Sequence, residues 1–187
     1  MFPILVLRHG ETEWNVVGRL QGALDSPLTE RGVEQAIRQK AILGDLDLNG
    51  WHWRVSPLGR TVRTAEIVLD GPVPDACLDD DLKEIAMGDW TGVVRTEIAK
   101  ANPELFEADG LAWYDHAPGG EGLRALAARS QALLDGLTAP TVLVTHGITS
   151  RVLRCLATAR PWEEFDQIGG GQGVVYRVEN GVQRMLK

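Results

Sequence analysis

Three short segments, widely separated along the chain, predict β-strands. Residues 2–6 are apolar and are followed by a glycine at position 10, which indicates a buried strand. Residues 53–56 predict a second strand. Residues 141–145 form a continuous, largely β-branched run, which is typical of a strand buried on both faces of a parallel sheet.

Longer segments repeat apolar residues at helical spacing. We predict helices over 29–44, 59–69, 123–137 and 148–157. The first of these begins at Thr29, a residue type that favours helix N-caps. Near the end of the chain, two further strand patterns over 174–178 and 182–186 flank Asn180-Gly181, a dipeptide typical of a two-residue hairpin turn.

Strands that alternate with helices predict an α/β fold, because parallel strands need helical crossovers. We expect a three-layer sandwich, with helices on both faces of a mostly parallel central sheet. Since no linker divides the chain, residues 1–187 are predicted to form a single domain. The pattern is weak at about 84–122, apart from a short helix near 93–101, and we interpret this segment as an insertion over one edge of the sheet.

Composition restricts the partners that we expect. The 187 residues are 44% hydrophobic and carry a formal net charge of −7, so nucleic acid and anionic membranes would be repelled at long range. We predict neither as a partner, and a site for an anion would need a local positive field.

The start of the chain has no basic leader and no apolar run long enough for a membrane span, so we expect a cytoplasmic protein. The two cysteines exclude a disulfide framework, and homo-oligomer formation is left open.

The same residue pattern follows two of the predicted strands. Arg8-His9-Gly10 ends the first strand, and His146-Gly147 ends the strand at 141–145. In a parallel sheet both would face one crevice at the carboxyl edge, where ligands bind. A lone histidine is more often structural, but two at matching strand ends favour catalysis. Arginine provides a rigid fork of donors for phosphate, and histidine is a nucleophile near neutral pH, so phosphoryl chemistry is indicated.

Arg60 and Glu84 are weaker candidates when each is taken alone. Arg60 lies where the helix after the second strand begins, and the unpaired amides and positive dipole of such a helix end form a natural phosphate seat. The alternative for Arg60 is an ordinary surface charge. A lone glutamate such as Glu84 is most often exposed and inert.

The order of these motifs resembles the histidine phosphatase superfamily, the phosphoglycerate-mutase-like proteins. The resemblance covers nearly the whole chain. Its five motifs are Leu7-Arg8-His9-Gly10-Glu11-Thr12 with Asn15 and Gln21-Gly22, Ser56-Pro57-Leu58 with Arg60, Leu82 to Gly92 around Glu84, Pro118-Gly119-Gly120-Glu121, and Thr145-His146-Gly147.

This resemblance implies a phosphoglycerate-mutase-like fold whose 84–122 insertion lies over the active site. It also implies that His9 attacks phosphorus and becomes a phosphohistidine, while Glu84 protonates the leaving oxygen. The groups implied to hold phosphate oxygens are Arg8, Arg60 and His146, with a pocket lined by Asn15, Gln21, Gly22 and Gly147. Two arginines and a cationic His146 would offset the phosphate charge without a metal. His9 must be neutral to attack, so its other ring nitrogen should donate to a backbone carbonyl.

The family contains both isomerases and hydrolases, and this chain departs from its glycolytic mutases. Those mutases usually carry an arginine and a tyrosine after the acid glutamate, where this chain has Ile85 and Met87. We therefore expect a metal-independent phosphatase that acts on a small phosphorylated metabolite without a cofactor. The alternatives are a phosphoglycerate mutase-type isomerase and a non-catalytic module that binds a phospho-ligand. Trp90, Trp113 and Tyr114 predict either an apolar wall for the substrate or ordinary core packing.

Overall fold

A five-stranded sheet forms the centre of the molecule. The computed structural model describes residues 1–107 and 110–187. The strands in this part of the chain are β1 Ile4–Arg8, β2 His52–Val55, β3 Thr141–Thr145, β4 Val175–Glu179 and β5 Val182–Leu186, in the spatial order β2-β3-β1-β4-β5. β2, β3 and β1 are parallel, whereas β4 and β5 pair antiparallel. The predicted strands are thus confirmed, with bounds that differ by one or two residues.

Helices occupy the segments between the parallel strands. The α-helices of the described residues are α1 Glu13–Val16, α2 Glu30–Gly44, α3 Gly59–Leu69, α4 Arg95–Ala101, α5 Leu123–Asp135 and α6 Gly147–Ala157. Shorter 3₁₀ turns lie at Asp75–Cys77, Asp80–Leu82, Gly88–Trp90, Pro103–Phe106, Ala112–His116 and Trp162–Glu164. The Thr29 hydroxyl caps α2 by accepting a hydrogen bond from the Gly32 amide, as the sequence predicts.

Alternate residues of β1 enter two different cores, which defines the three layers. Ile4 and Val6 pack with apolar residues of α5 and α6 on one face. Leu5 and Leu7 pack with residues of α2 and α3 on the other face. This alternation follows from the two-residue period of a strand, and it confirms the predicted α/β sandwich.

The segment at 84–122 packs beside α5 and α6 rather than on the sheet. Its Trp90 and Trp113 are buried in an apolar cluster with residues of those helices, so both indole rings serve core packing. Residues 108 and 109 of this segment lie outside the described residues. The division into one domain with an insertion stays a prediction. No helix in the described ranges is both long and apolar enough to cross a membrane, and the cytoplasmic location also stays a prediction.

The loop after β1 and the first turn of α2 approach each other at two glycines. A Cβ atom on Gly10 would collide with the Gly32 carbonyl, and one on Gly32 would collide with the Glu11 carbonyl oxygen. Because both obstacles are backbone atoms, neither can move without displacing its whole element. This close contact fixes the loop that carries His9 against α2.

We expect Gly32→Ala to lower the free energy of unfolding by about 1–3 kcal/mol, because the added methyl group overpacks this contact. Gly44→Ala, in the same helix, is the matched control, since no atom lies within 4 Å of its built Cβ. That control should be neutral or stabilising by up to about 1 kcal/mol, the helix-propensity gain of alanine over glycine. Urea unfolding of both variants measures the difference, and equal stabilities would contradict the packing argument.

Candidate active site

The register of β1 and β3 brings the two motif histidines together. Arg8 is paired with Thr145, so His9 and His146 leave the sheet on adjacent strands. The His9 amide donates to the Thr145 carbonyl at 3.0 Å. The centroids of the two imidazole rings are 5.3 Å apart, with an edge-on arrangement. The two strand ends thus meet at the carboxyl edge of the sheet, but of the two histidines it is His9 that lines the cavity there.

His9 has the protonation pattern of a nucleophile. Its Nδ1 lies 2.7 Å from the Gly10 carbonyl oxygen, which can only accept, so Nδ1 carries the proton and Nε2 keeps its lone pair. Burial, together with the positive charges of Arg8 and Arg60, lowers the pKa of His9 well below its usual 6.5. His9 is therefore neutral near pH 7. The expected hydrogen bond to a backbone carbonyl, from the ring nitrogen that does not attack phosphorus, is therefore found at Nδ1.

Arg8 lies in the wall of the cavity beside His9. Its Nε is buried and has no hydrogen-bond partner in the described part of the chain. Burial lowers the pKa of Arg8, while the nearby negative charge of Glu84 raises it. A guanidinium group in a cavity wall can donate hydrogen bonds to an oxyanion, and such charge-assisted bonds are among the stronger ones in proteins.

Arg60 is held rigidly by the protein. Its Nη1 donates to Asp25 Oδ1 at 2.8 Å and to the Leu24 carbonyl at 2.7 Å, and its Nη2 donates to the Gly22 carbonyl at 3.0 Å. Asp25 also accepts the amides of Gly59 and Arg60 at the start of α3. The prediction that this helix end forms a phosphate seat is therefore wrong, because a carboxylate of the protein already occupies it.

His146 lies beside His9 but is enclosed by protein. Its Nδ1 accepts from Arg60 Nε at 3.2 Å, so the proton resides on Nε2, which donates to Ser56 Oγ at 2.8 Å. Burial and the charge of Arg60 lower the pKa of His146 well below its usual value. The expected positive charge on His146 is thus not found. In this arrangement the ring orients Arg60, and it does not line the cavity.

Glu84 reaches the cavity at the N-terminus of α6. Its Oε1 accepts from the amide of Thr149 at 3.1 Å, and its Oε2 accepts from the Ile148 amide at 3.2 Å. The Thr149 hydroxyl oxygen also lies 3.0 Å from Oε1, although its one proton is donated to the Lys83 carbonyl. A helix N-terminus favours a carboxyl group because its amides lack helical partners. These donors hold the Glu84 side chain in one orientation, facing the same cavity as Arg8 and His9.

The predicted pocket residues Asn15, Gln21, Gly22 and Gly147 all line this cavity. Asn15 Oδ1 accepts from the Thr12 amide at 3.2 Å and from Gln172 Nε2 at 3.4 Å. Because both contacts require an acceptor, they orient the Asn15 amide with its nitrogen away from them and available to a ligand. The structure therefore assembles these residues around His9.

The cavity has a volume of about 200 Å³, and both polar and apolar groups line it. The polar groups include the imidazole of His9, the guanidinium groups and the Glu84 carboxyl group. The apolar and aromatic lining residues are Leu20, Met87, Leu111, Tyr114 and Ile148. Tyr114 thus lines the cavity, unlike the two buried tryptophans, and its burial and the charge of Glu84 raise the pKa of its hydroxyl.

Sequence reasoning missed three polar residues at this site. Arg19 and Arg151 line the cavity, and Gln172 donates to the His9 carbonyl at 3.1 Å. Arg151 follows Gly147 by one helical turn, so helical spacing contained a signal for it. Gln172 enters from the loop before β4 through a contact between distant parts of the chain, for which the sequence gives no local signal.

Among residues 1–107 and 110–187, no group of three or more His, Cys, Asp or Glu side chains is arranged to hold a metal ion.

The fold and cavity define a three-layer α/β protein with a buried histidine–arginine site, and comparisons with known proteins give its family. The sequence model of the Histidine phosphatase superfamily (branch 1) matches residues 4–184. "Probable phosphoglycerate mutase GpmB" from Proteus mirabilis (strain HI4320) is 38% identical over 166 residues, covering 83% of this chain and 73% of the relative. "Phosphoserine phosphatase 1" from Hydrogenobacter thermophilus is 31% identical over 181 residues, covering 90% and 82%.

A solved structure supports the same assignment. The mycobacterial glucosyl-3-phosphoglycerate phosphatase Rv2419c in complex with VO3 superposes with a TM-score of 0.81 at 29% identity, covering 99% of this chain and 97% of that one. The chain belongs to the histidine phosphatase superfamily, as its motifs predict. The relatives named here include both phosphatases and a mutase.

We expect the free energy of unfolding to fall as the pH drops below about 6.5. His9 and His146 are neutral in the fold with a lowered pKa, whereas in the unfolded chain they take up protons near 6.5. The unfolded state then binds more protons, so each histidine contributes a loss of up to about 1.4 kcal/mol per pH unit below that value.

Urea unfolding in phosphate-free buffer between about pH 5 and 8, where histidine titrates, measures this slope. His9→Gln should make it shallower. His116→Gln is the matched control, because His116 is exposed and should leave the slope unchanged. A slope that is the same in all three proteins would contradict the assignment of a buried neutral His9.

Proposed function

We propose that this protein is a metal-independent phosphomonoesterase that works through a phosphohistidine at His9. The observation that carries the proposal is the neutral His9 ring, with Nδ1 hydrogen-bonded to the Gly10 carbonyl and Nε2 unprotonated, in a cavity that Arg8 and Arg60 also line. An imidazole lone pair in a cavity lined by guanidinium groups is the arrangement that in-line attack on a phosphoryl group requires.

The remaining groups fit separate roles in that reaction. Arg8 and Arg60 would bind the non-bridging oxygens, and the amide nitrogen of Asn15 would add a neutral donor. The lining formed by Gln21, Gly22 and Gly147 would complete the phosphate pocket. His146 would contribute by orienting Arg60, since both of its ring nitrogens are bonded to protein.

Glu84 is the candidate general acid. An alkoxide is a poor leaving group, so the bridging oxygen must receive a proton as its bond to phosphorus breaks. The carboxyl group of Glu84 faces the cavity next to Arg8, and Gly147 brings the two groups close together at the start of α6. After transfer to His9, water would attack the phosphohistidine, and the Glu84 carboxylate would take a proton from that water.

Two side chains favour hydrolysis of a phosphate ester over the mutase reaction, in which a phosphoryl group moves from one position of a sugar acid to another. Ile85 is fully buried in the core and Met87 presents an apolar wall, where the family's glycolytic mutases carry an arginine and a tyrosine. A mutase must retain a doubly phosphorylated intermediate, and apolar groups at these places offer it no charge. The similarity to proteins named phosphoserine phosphatase and glucosyl-3-phosphoglycerate phosphatase is consistent with hydrolysis.

A phosphoglycerate mutase-type isomerase is the second candidate, because the relative named as a probable mutase is 38% identical. A panel of small phosphorylated metabolites, assayed with a chelator present, separates the two functions. Release of inorganic phosphate supports our proposal. Interconversion of phosphoglycerates that is much faster than their hydrolysis would overturn it, and no turnover at all would favour a non-catalytic phospho-ligand-binding module.

We expect His9→Ala to reduce phosphate release by at least about 10³-fold, because the covalent intermediate cannot form. Rapid acid-free denaturation of wild-type protein during turnover of a ³²P-labelled substrate should trap label on His9, as located by peptide mass spectrometry. His116→Ala is the matched control and should keep both turnover and label. Label on any other residue, or undiminished turnover in His9→Ala, would remove His9 from the mechanism.

Glu84→Gln should slow hydrolysis of an alkyl phosphate by about 10²-fold or more, the usual contribution of a general acid. The kcat/KM for p-nitrophenyl phosphate, which reports only the steps up to departure of the leaving group, should be affected much less, because that group departs without a proton. Comparing kcat/KM for the two esters within one variant cancels any general loss of binding. A loss of equal size for both esters would show that Glu84 does not act as the acid.

A further inference from the structure

The chain segment that carries Glu84 is held by side chains from three other elements. The carbonyl of Leu82 accepts from the hydroxyl of Thr145 at 2.7 Å, and the carbonyl of Lys83 accepts from the hydroxyl of Thr149 at 2.8 Å. Arg129, in α5, donates to the carbonyls of Asp81 and Lys83. The backbone on the N-terminal side of Glu84 is thus fixed by several bonds, none of which reaches the cavity.

A half-buried ion pair extends this restraint to the other side of Glu84. Arg129 contacts Glu121 through two bonds, Nε to Oε1 at 2.6 Å and Nη2 to Oε2 at 3.1 Å. Glu121 in turn accepts the Ala86 amide at 3.2 Å, while its own amide donates to the Ala86 carbonyl at 2.9 Å. Arg129 and Glu121, which we call the clamp pair, therefore bracket Glu84 from both sides.

The clamp pair is more than a surface ion pair. Both side chains are only 18% exposed, and the contact is bidentate, so solvent screens it weakly and its geometry is narrow. The other hydrogen bonds of both residues are made to the same short segment, 81–86. A loop without such support would move by more than the few tenths of an ångström that proton transfer tolerates.

We propose that Arg129 and Glu121 are positioning residues that set the distance from the Glu84 carboxyl group to the leaving oxygen of the substrate. This inference rests on the proposed phosphatase function. In the first step a bond forms between His9 Nε2 and phosphorus while the phosphorus–oxygen ester bond breaks. The Glu84 proton passes to that ester oxygen, so a neutral alcohol leaves and Glu84 becomes a carboxylate.

Loss of the clamp pair should therefore impair proton donation while leaving the phosphate pocket intact. The two variants are Arg129→Met, which removes the charged fork, and Glu121→Gln, which keeps the shape and removes the charge. For both, kcat/KM for an alkyl phosphate such as glycerol 2-phosphate should fall about 10- to 100-fold, a large part of what a general acid supplies. For p-nitrophenyl phosphate it should stay within about threefold, because that leaving group needs no acid.

Arg124→Met is the matched control, since Arg124 is exposed on the same helix α5. It should leave the ratio of the two kcat/KM values unchanged. Circular dichroism checks that each variant is folded. If Arg129→Met does not fold, the comparison of the two esters is made with Glu121→Gln alone.

The possible results separate this inference from the proposed function. A wild-type protein that hydrolyses no ester of the metabolite panel overturns both, and the alkyl phosphate used here is one that the wild type hydrolyses. An active wild type whose clamp variants lose activity equally on both esters, or lose none on the alkyl phosphate, overturns the positioning role alone. A selective loss on the alkyl phosphate, of the same kind as in Glu84→Gln, supports it.

Discussion

The parallel pairing of β1 with β3 is the constraint on which the rest of this site depends. Because Arg8 is opposite Thr145, the next residues of the two strands, His9 and His146, must emerge side by side at the carboxyl edge. A slip of one residue would turn Arg8 and its neighbours to the opposite face of the sheet. The apolar residues of β1 prevent that slip, since each face of the strand fills a separate core.

Two carboxylates of the protein occupy the helix N-termini nearest to the carboxyl edge of the sheet. These contacts fix the Arg60 guanidinium in one case and the Glu84 carboxyl group itself in the other. Asp25 covers the start of α3 and holds the Arg60 guanidinium, while the start of α6 holds Glu84. An incoming anion therefore meets side-chain cations rather than free helix amides. Within the described part of the chain, the cavity is lined by four arginines, Arg8, Arg19, Arg60 and Arg151, and by one acidic residue, Glu84, so a chain with a formal net charge of −7 presents a local positive field there.

The sequence predicts most of the fold because strand and helix periods are local properties, and the turn at Asn180-Gly181 is equally local, with positive φ at both residues. It also predicts which strand ends meet, since parallel strands share one edge. It does not predict that Asp25 occupies the start of α3 or that Gln172 contacts the His9 carbonyl, because these contacts join distant parts of the chain. The neutral state of His146 was missed for the same reason, as its cause is burial beside Arg60.

The fold leaves buried polar atoms unpaired at the place where we propose that phosphate binds. Arg8 Nε and Gln21 Oε1 are both buried without a partner in the described ranges. Each such atom costs about 1–3 kcal/mol in the free protein, because it has lost water without gaining a hydrogen bond. Both residues line the cavity, so an oxyanion bound there would place an acceptor beside the Arg8 guanidinium. The apolar wall with Met87 and Tyr114 is left to distinguish one phosphate ester from another through shape rather than charge.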